Sequence, residues 1–488
     1  MSHTWLIGRF WSILRYTGFY ILNASLTSIQ YGDLTKNFSS PGSYCNSLTS
    51  PLLMFLLLLL LTVVRCQETT TFTLQYNKTT ATARSSATLR LITLNQSKHP
   101  LSVCTDGTPS GYYFKEASVT NANNTTASFS KPMSSSVWIV HLEGGGWCYD
   151  KSSCENRCGT PSSPKRTSHL CSSFGWQPAV DLEGIFMADD PILRHANKAF
   201  VPYCTSDGHM GNGMANGWQF RGQRVIQSVL RELVNIHGLG SGMNGRKDTL
   251  IFGGSSAGGR GAMVHVDYVL EMLGPSAANN IILHGFLDSP LWIDLPSINP
   301  SFPGFNVTTS GVFSQANVTH VDRECQKMYS NDEEWKCLLG QYRMPFLKTS
   351  YFISASQDDL FQIYEDIGHA PVTQEQLQYA ANFANITKRT MLSLHSHSNT
   401  TNAVFSWSCF NHAVSMTHLG FNVWTSGDHH PGAPSTQNDA LVHFLNWDVV
   451  KGKKSGGDDD DDGHSRVNNN EWIDRCNGWK CGNGCSTK

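Results

Sequence analysis

Thr249-Leu250-Ile251-Phe252-Gly253-Gly254-Ser255-Ser256-Ala257-Gly258 is the stretch that decides the fold. A short apolar run enters a glycine pair, and Gly254-x-Ser256-x-Gly258 follows at once. From Gly258 to Leu273 the spacing predicts a helix. Strand, tight turn and helix in that order are what a nucleophile elbow needs. The turn is so sharp that its flanks accept only small side chains, and it lifts the serine Oγ to the C-terminal edge of a sheet. A purely structural glycine turn is the alternative reading of the same residues. Outward from this point, Val137–Leu142, Lys198–Tyr203, Ile281–Leu287 and Tyr351–Ser354 are short apolar runs that predict buried strands. Val225, Ile226, Val229, Leu230 and Leu233 recur at helical spacing, so 223–237 is predicted as an amphipathic helix. Strands alternating with helices predict an α/β fold, a mostly parallel sheet flanked by helices.

A serine nucleophile requires a base, and the base requires an orienting carboxylate. In α/β-hydrolase-like folds they follow the serine in the order acid, then histidine. Tyr351–Ser356 leads to the adjacent acids Asp358 and Asp359. His395, His397, His412, His418, His429 and His430 are all eligible as the base, and spacing alone does not choose among them. Glu143-Gly144-Gly145-Gly146-Trp147 follows the strand at 137–142. Glycines there let backbone N–H groups approach a developing oxyanion, and the N–H of Ala257 would join them. A phosphate cradle is the other use of such a loop, but the Lys-Ser/Thr of a P-loop is missing and the spacing is not Gly-x-Gly-x-x-Gly. His395-Ser396-His397 lacks an evident third metal ligand and reads as polar loop; no metal and no cofactor is expected.

The 488 residues carry a net charge of −2, which gives no electrostatic reason to expect a nucleic-acid partner. Charged residues make up 15 %, against about 25 % in an average soluble protein. Fourteen cysteines with no zinc spacing point to disulfides in an oxidising compartment. The apolar run 52–64 fits the h-region of a signal peptide cut after Cys66, and a type II membrane anchor is its competitor. Sequons at Asn77, Asn95, Asn123, Asn124, Asn306, Asn317, Asn385 and Asn399 favour export and N-linked glycans. The chain therefore divides into an N-terminal extension (1–66), a polar lead-in (67–100), a main domain (101–450), an acidic linker (451–471) with Asp458–Asp462, and a Cys-rich tail (472–488).

Between Leu101 and Asp448 the sequence resembles the pectin acetylesterase and Notum carboxylesterases. The stretches that carry this are Cys104–Tyr113, Glu143–Cys148, Tyr203-Cys204, Arg221–Arg224, Gly254–Gly259, Asp288-Ser289, Glu334–Cys337 and Ser408–His412. The resemblance implies a serine carboxylesterase with Ser256 as nucleophile. It implies His412 as base, through a Ser-Cys-x-x-His setting, and Asp359 as acid, through the Gln three residues later at Gln362. Gly145, Gly146 and Ala257 are the implied oxyanion donors. The triple glycine before Trp147 looks like the pectin acetylesterases; Ser255, Tyr112-Tyr113 and Glu334-Trp335-x-Cys337 look like Notum, which removes a palmitoleate ester from Wnt proteins. The expected substrate is an O-acetyl ester on pectin or another polysaccharide, and the alternative is an acylated protein; no stable protein partner is expected. An inactive hydrolase-like binding module is the reading from another class. A local bridge between Cys325 and Cys337 is also expected.

Overall fold

The computed structural model describes residues 87–117, 136–188, 190–242, 245–396, 402–421, 425, 436–453 and 470–482. The apolar run 52–64, the sequons at Asn77, Asn123, Asn124 and Asn399, His397, His429, His430 and the Asp458–Asp462 run lie outside the described residues.

Ten strands form one sheet: β1 (Ala87–Thr93), β2 (Gly111–Lys115), β3 (Val137–Leu142), β4 (Ala179–Leu182), β5 (Asn197–Val201), β6 (Asp248–Ser255), β7 (Ile281–Asp288), β8 (Tyr351–Ser356), β9 (Ala403–Trp407) and β10 (Glu471–Ile473). Their order is β10-β9-β8-β7-β6-β3-β5-β2-β1-β4. Every pairing from β10 to β5 is parallel, and the three pairings that involve β1 and β2 at the other edge are antiparallel. Parallel strands need crossovers, and helices supply them. The longer ones are α1 (Lys151–Cys158), α2 (Gly222–Glu232), α3 (Ala257–His265), α4 (Phe305–Gln315), α5 (Leu360–Ile367), α6 (Gln374–Ser396) and α7 (Gln437–Lys453).

Residues alternate along the central strands between two cores, as the two faces of a pleated sheet require. Leu250 and Phe252 of β6, Trp138 and Val140 of β3 and Ile353 of β8 join Val225 of α2, Met263 of α3 and Phe383 of α6. Ile251, Ile139, Phe286, Phe352 and Phe405 face the other way and pack with Leu441 and Phe444 of α7. The amphipathic pattern expected over 223–237 folds as α2 followed by one π-helical turn at Leu233–His237. The helix expected over 258–273 is α3, a 3-10 turn and a further helical turn at Val269–Leu273.

Two boundaries differ from the sequence reading. β1 lies inside the stretch read as a polar lead-in; Thr88, Arg90 and Thr93 are its exposed positions, and Ala87 and Leu89 its buried ones. The polar residues are thus one face of an edge strand. At the far end β10 adds to β9, with Trp472 and Ile473 buried, so residues 471–473 are sheet.

Disulfides join Cys104–Cys204, Cys148–Cys154, Cys158–Cys171, Cys325–Cys337 and Cys476–Cys481, and Cys409 is disulfide-bonded as well. The first closes a loop across 100 residues and ties the segment before β2 to the end of β5; in the chain-entropy picture such a loop gives roughly 4–5 kcal/mol. Asn95, Asn306, Asn317 and Asn385 are all exposed.

Trp472 is 1 % exposed and fills the edge of the core against α7. Trp472→Ala is expected to cost about 3–5 kcal/mol, read as a lowered midpoint in chemical denaturation. A change below about 1 kcal/mol would mean that β10 is not part of the cooperative unit.

Candidate active site

Ser256 is the single residue between β6 and α3, with φ 57° and ψ −123°. A non-glycine residue there carries roughly 1–3 kcal/mol of strain. Its N–H donates to the carbonyl of Asp288 at the end of β7 (2.9 Å), which anchors the turn to the neighbouring strand. The glycines around it are obligatory on steric grounds. A Cβ on Gly254 would lie 2.4 Å from the carbonyl oxygen of Gly258, and one on Gly258 would lie 2.1 Å from that of Leu142. Ser256 keeps 8 % of its surface accessible and stands at the N-terminus of α3.

His412 Nε2 is 2.7 Å from Ser256 Oγ, and His412 Nδ1 donates to Asp359 Oδ2 at 2.7 Å. Asp359 caps α5, where its Oδ1 accepts from the Gln362 N–H (3.0 Å). That bond fixes the carboxylate while its other oxygen holds the imidazole. Asp358 turns away and accepts from Ser408 Oγ (2.6 Å) and the Lys480 N–H (3.2 Å). Burial pushes the Asp358 carboxyl up to about 6. Among the described histidines weighed from sequence, His395 lies in α6 and His418 opens a short helix at His418–Phe421. Burial by itself would depress the His412 imidazole, but the charge and hydrogen bond of Asp359, with the charge of Asp288 behind, outweigh it and hold its pKa above the ordinary value.

Nothing in the sequence around Asp288-Ser289 gives either residue a task. Asp288 is fully buried and accepts from Ser289 Oγ, Ser354 Oγ and the Ser415 N–H. Ser289 Oγ in turn accepts from the Ala413 N–H (3.0 Å). The pair therefore grips the chain on the C-terminal side of His412. On its N-terminal side the tail does the same. Asp474 accepts from the Ser408 N–H, and Ser408 Oγ lies 3.2 Å from the Cys481 backbone nitrogen, which donates to it. The tail cysteines were the visible signal for this anchoring; their target was not.

The glycine loop packs against Ser256. A Cβ on Gly144 would lie 2.9 Å from Ser256 Cβ, and Gly145 and Gly146 have φ of 144° and 65°. The backbone amides of Gly145, Gly146 and Ala257 donate to no other group among the described residues. Beyond the histidine stands an aromatic wall. Phe361 stacks on His412 with centroids 5.4 Å apart, and Trp292 lies 5.9 Å from it. Trp147 meets Trp292 edge-on at 4.9 Å, and Phe305 and Leu339 complete the cluster. Among the described residues no group of three or more His, Cys, Asp or Glu is placed to hold a metal ion.

Several known proteins share this architecture. The structure of the Wnt deacylase Notum from Drosophila superposes with a TM-score of 0.64 at 26 % identity, covering 82 % of this chain and all of that one. In sequence the chain is 30 % identical over 321 residues to the palmitoleoyl-protein carboxylesterase NOTUM of Drosophila melanogaster, covering 64 % of this chain and 43 % of the relative. Against the protein of the same name from Mus musculus it is 28 % identical over 348 residues, covering 68 % and 62 %. The chain thus spans from under half to about three fifths of the length of these relatives. The family described as Pectinacetylesterase matches residues 82–455, which takes in β1 through β9 and all six of Gly145, Gly146, Ser256, Ala257, Asp359 and His412, so the chain belongs to the pectinacetylesterase family.

Proposed function

We propose that this protein is a serine carboxylesterase in which Ser256, His412 and Asp359 form the catalytic triad. The observation that carries the reading is the unbroken line of two 2.7 Å contacts from Ser256 Oγ through the imidazole to Asp359. His412 Nε2 takes the proton of Ser256 Oγ as that oxygen attacks the ester carbonyl. Nδ1–H stays on Asp359, which fixes the tautomer and supports the imidazolium. The carbonyl oxygen becomes an oxyanion and is received by the unsatisfied amides of Gly145, Gly146 and Ala257. Each such donor is worth about 2.7–4 kcal/mol of transition-state stabilisation. The imidazolium then protonates the departing alkoxide, the C–O bond breaks, and an acyl-Ser256 ester remains. Water, deprotonated by His412, attacks that ester and releases the carboxylic acid.

Phe361 and Trp292 against His412 make the surroundings of the base apolar, which favours an apolar acyl group, and the relatives named above are palmitoleoyl-protein carboxylesterases. A fatty-acyl ester on a secreted protein is therefore the preferred substrate class. An O-acetyl ester of pectin or another polysaccharide is the second reading, supported by the family description and the triple glycine. The two separate on a series of nitrophenyl esters from acetate to palmitate, run beside acetylated pectin and a palmitoleoylated serine peptide. The expected result is a rate that rises with acyl length and is lost in Ser256→Ala together with fluorophosphonate labelling. Best activity on acetate and pectin would select the second reading. A parent protein that neither labels nor turns over any ester would leave the inactive binding module.

As base, His412 must be neutral, so kcat/KM rises with pH through its pKa. That acid limb is expected above the ordinary imidazole value of about 6.5, because Asp359 and Asp288 hold the proton on. In Asp359→Asn the largest opposing charge is gone and burial dominates. The limb is then expected to move to lower pH while kcat falls by about 10⁴-fold. An unmoved limb would show that the titrating base is another group.

Export through the secretory pathway is supported by the disulfides and by the exposure of Asn95, Asn306, Asn317 and Asn385. No helix of the described residues is long and apolar enough to cross a membrane. Expressed in cultured animal cells, the protein is expected in the medium with a mobility that increases after peptide-N-glycosidase treatment. Retention in the cell pellet with unchanged mobility would contradict export.

A further inference from the structure

We infer that Arg157 is the positioning residue that aims the oxyanion donor Gly146, and the inference rests on the esterase reading above. The Arg157 guanidinium reaches both the glycine loop and Ser206. Its Nη2 donates to the carbonyl oxygen of Gly145, and its Nε donates to Ser206 Oγ at 2.9 Å. No peptide bond among the described residues is cis. In a trans peptide the carbonyl and the following N–H point in opposite directions. A guanidinium that holds the Gly145 carbonyl on one side therefore turns the Gly146 N–H to the other. That amide has no acceptor among the described residues, and its loop lies against Ser256 through Gly144.

The glycines make this control necessary. Gly145 and Gly146, at φ 144° and 65°, sit where backbone freedom is greatest, so nothing in the loop itself fixes the rotation of the peptide between them. An external clamp is needed, and the structure braces one. α1, which carries Arg157, is tied at its middle to the residue after Trp147 by Cys148–Cys154 and at its C-terminal end by Cys158–Cys171. Ser206, with φ 50°, holds the Nε edge of the guanidinium, and its hydroxyl donates a hydrogen bond to the Leu170 carbonyl (2.8 Å). Its backbone carbonyl accepts from the Cys148 N–H (3.0 Å), closing the ring of contacts around the loop. The Tyr203 ring lies 5.8 Å from the guanidinium carbon and covers one face of it. A planar cation fixed along one edge and one face can hold a single carbonyl in direction as well as in distance. Lysine, a point charge on a flexible stem, would hold it in distance only.

The test compares Arg157→Met, Arg157→Lys and Ser206→Ala with the parent on one nitrophenyl ester. Three readouts are taken: kcat and KM, inhibition by a trifluoromethyl ketone that forms an oxyanion adduct on Ser256, and the melting temperature. Arg157→Met is expected to lower kcat by about 10²–10³-fold, the usual loss for one oxyanion donor, with KM within threefold. Trifluoromethyl ketone affinity should fall in parallel. Arg157→Lys should recover part of kcat, and Ser206→Ala should lie between. A scaffold role alone would instead lower the melting temperature and leave kcat of the folded fraction and ketone affinity unchanged, and that result overturns the inference. Should Arg157→Met fail to fold, Arg157→Lys and Ser206→Ala carry the same comparison, and parent-like kcat in both overturns it equally. If the parent itself neither turns over the ester nor labels with fluorophosphonate, the esterase reading fails and this inference with it. If the parent is active and only the Arg157 variants match it, the esterase reading stands alone.

Discussion

The geometry of the site hangs on one backbone bond, from the Ser256 N–H to the carbonyl of Asp288. β6 and β7 are paired in parallel register up to Ser255 and Asp288, and this bond continues the pairing one residue past the end of β6. It holds Ser256 in a conformation that the residue would not choose for itself. The cost is met by the packing around it: β6 lies in the interior of the sheet between β3 and β7, and Leu250 to Ser255 are all buried. Because the serine cannot relax, the other parts of the site need only be brought to it.

They arrive from widely separated places. Asp359 and His412 lie 103 and 156 positions along the chain from Ser256, and the glycine loop lies more than 100 before it. Each arrives just past the C-terminal end of a strand: β8 for the acid, β9 for the histidine, β3 for the glycines. These are neighbours or near neighbours of β6, so parallel order converts sequence distance into adjacency at one edge. Loops alone would still leave the positions soft. The carboxylate of Asp359 is pinned as a helix cap, the chain after His412 by Ser289, and the chain before it by Asp474.

Much of this was legible in the sequence because it is local. The elbow shows its glycines in five residues, and the parallel strands show as apolar runs that no alternation interrupts. β1 was missed because an edge strand exposes one face, so Thr88 and Arg90 made it look like a tether. β10 was missed because three residues after an acidic run carry too little periodicity to read. The choice between Asp358 and Asp359 could not be made from spacing either. Both follow β8, and only the cap bond to Gln362 separates the residue that meets the histidine from the one that faces the tail. Arg157 carries no motif that names its target, since the group it holds in the glycine loop is a main-chain carbonyl.

His412 shows what that geometry does to the chemistry. The imidazole is enclosed by Phe361 and Trp292, and enclosure in apolar surroundings disfavours a charged ring. In the proposed mechanism the imidazole must accept the proton of Ser256, so it cannot be left unable to hold one. Asp359 answers by direct contact, and Asp288 by charge at longer range. The same Asp288 supplies the carbonyl that strains Ser256 and the carboxylate that holds Ser415 beyond the histidine. One residue at the end of β7 thus couples the placement of Ser256 to the basicity of His412. Disturbing its carboxylate would change the histidine while leaving the serine anchored, since the anchor is main chain and the carboxylate is not.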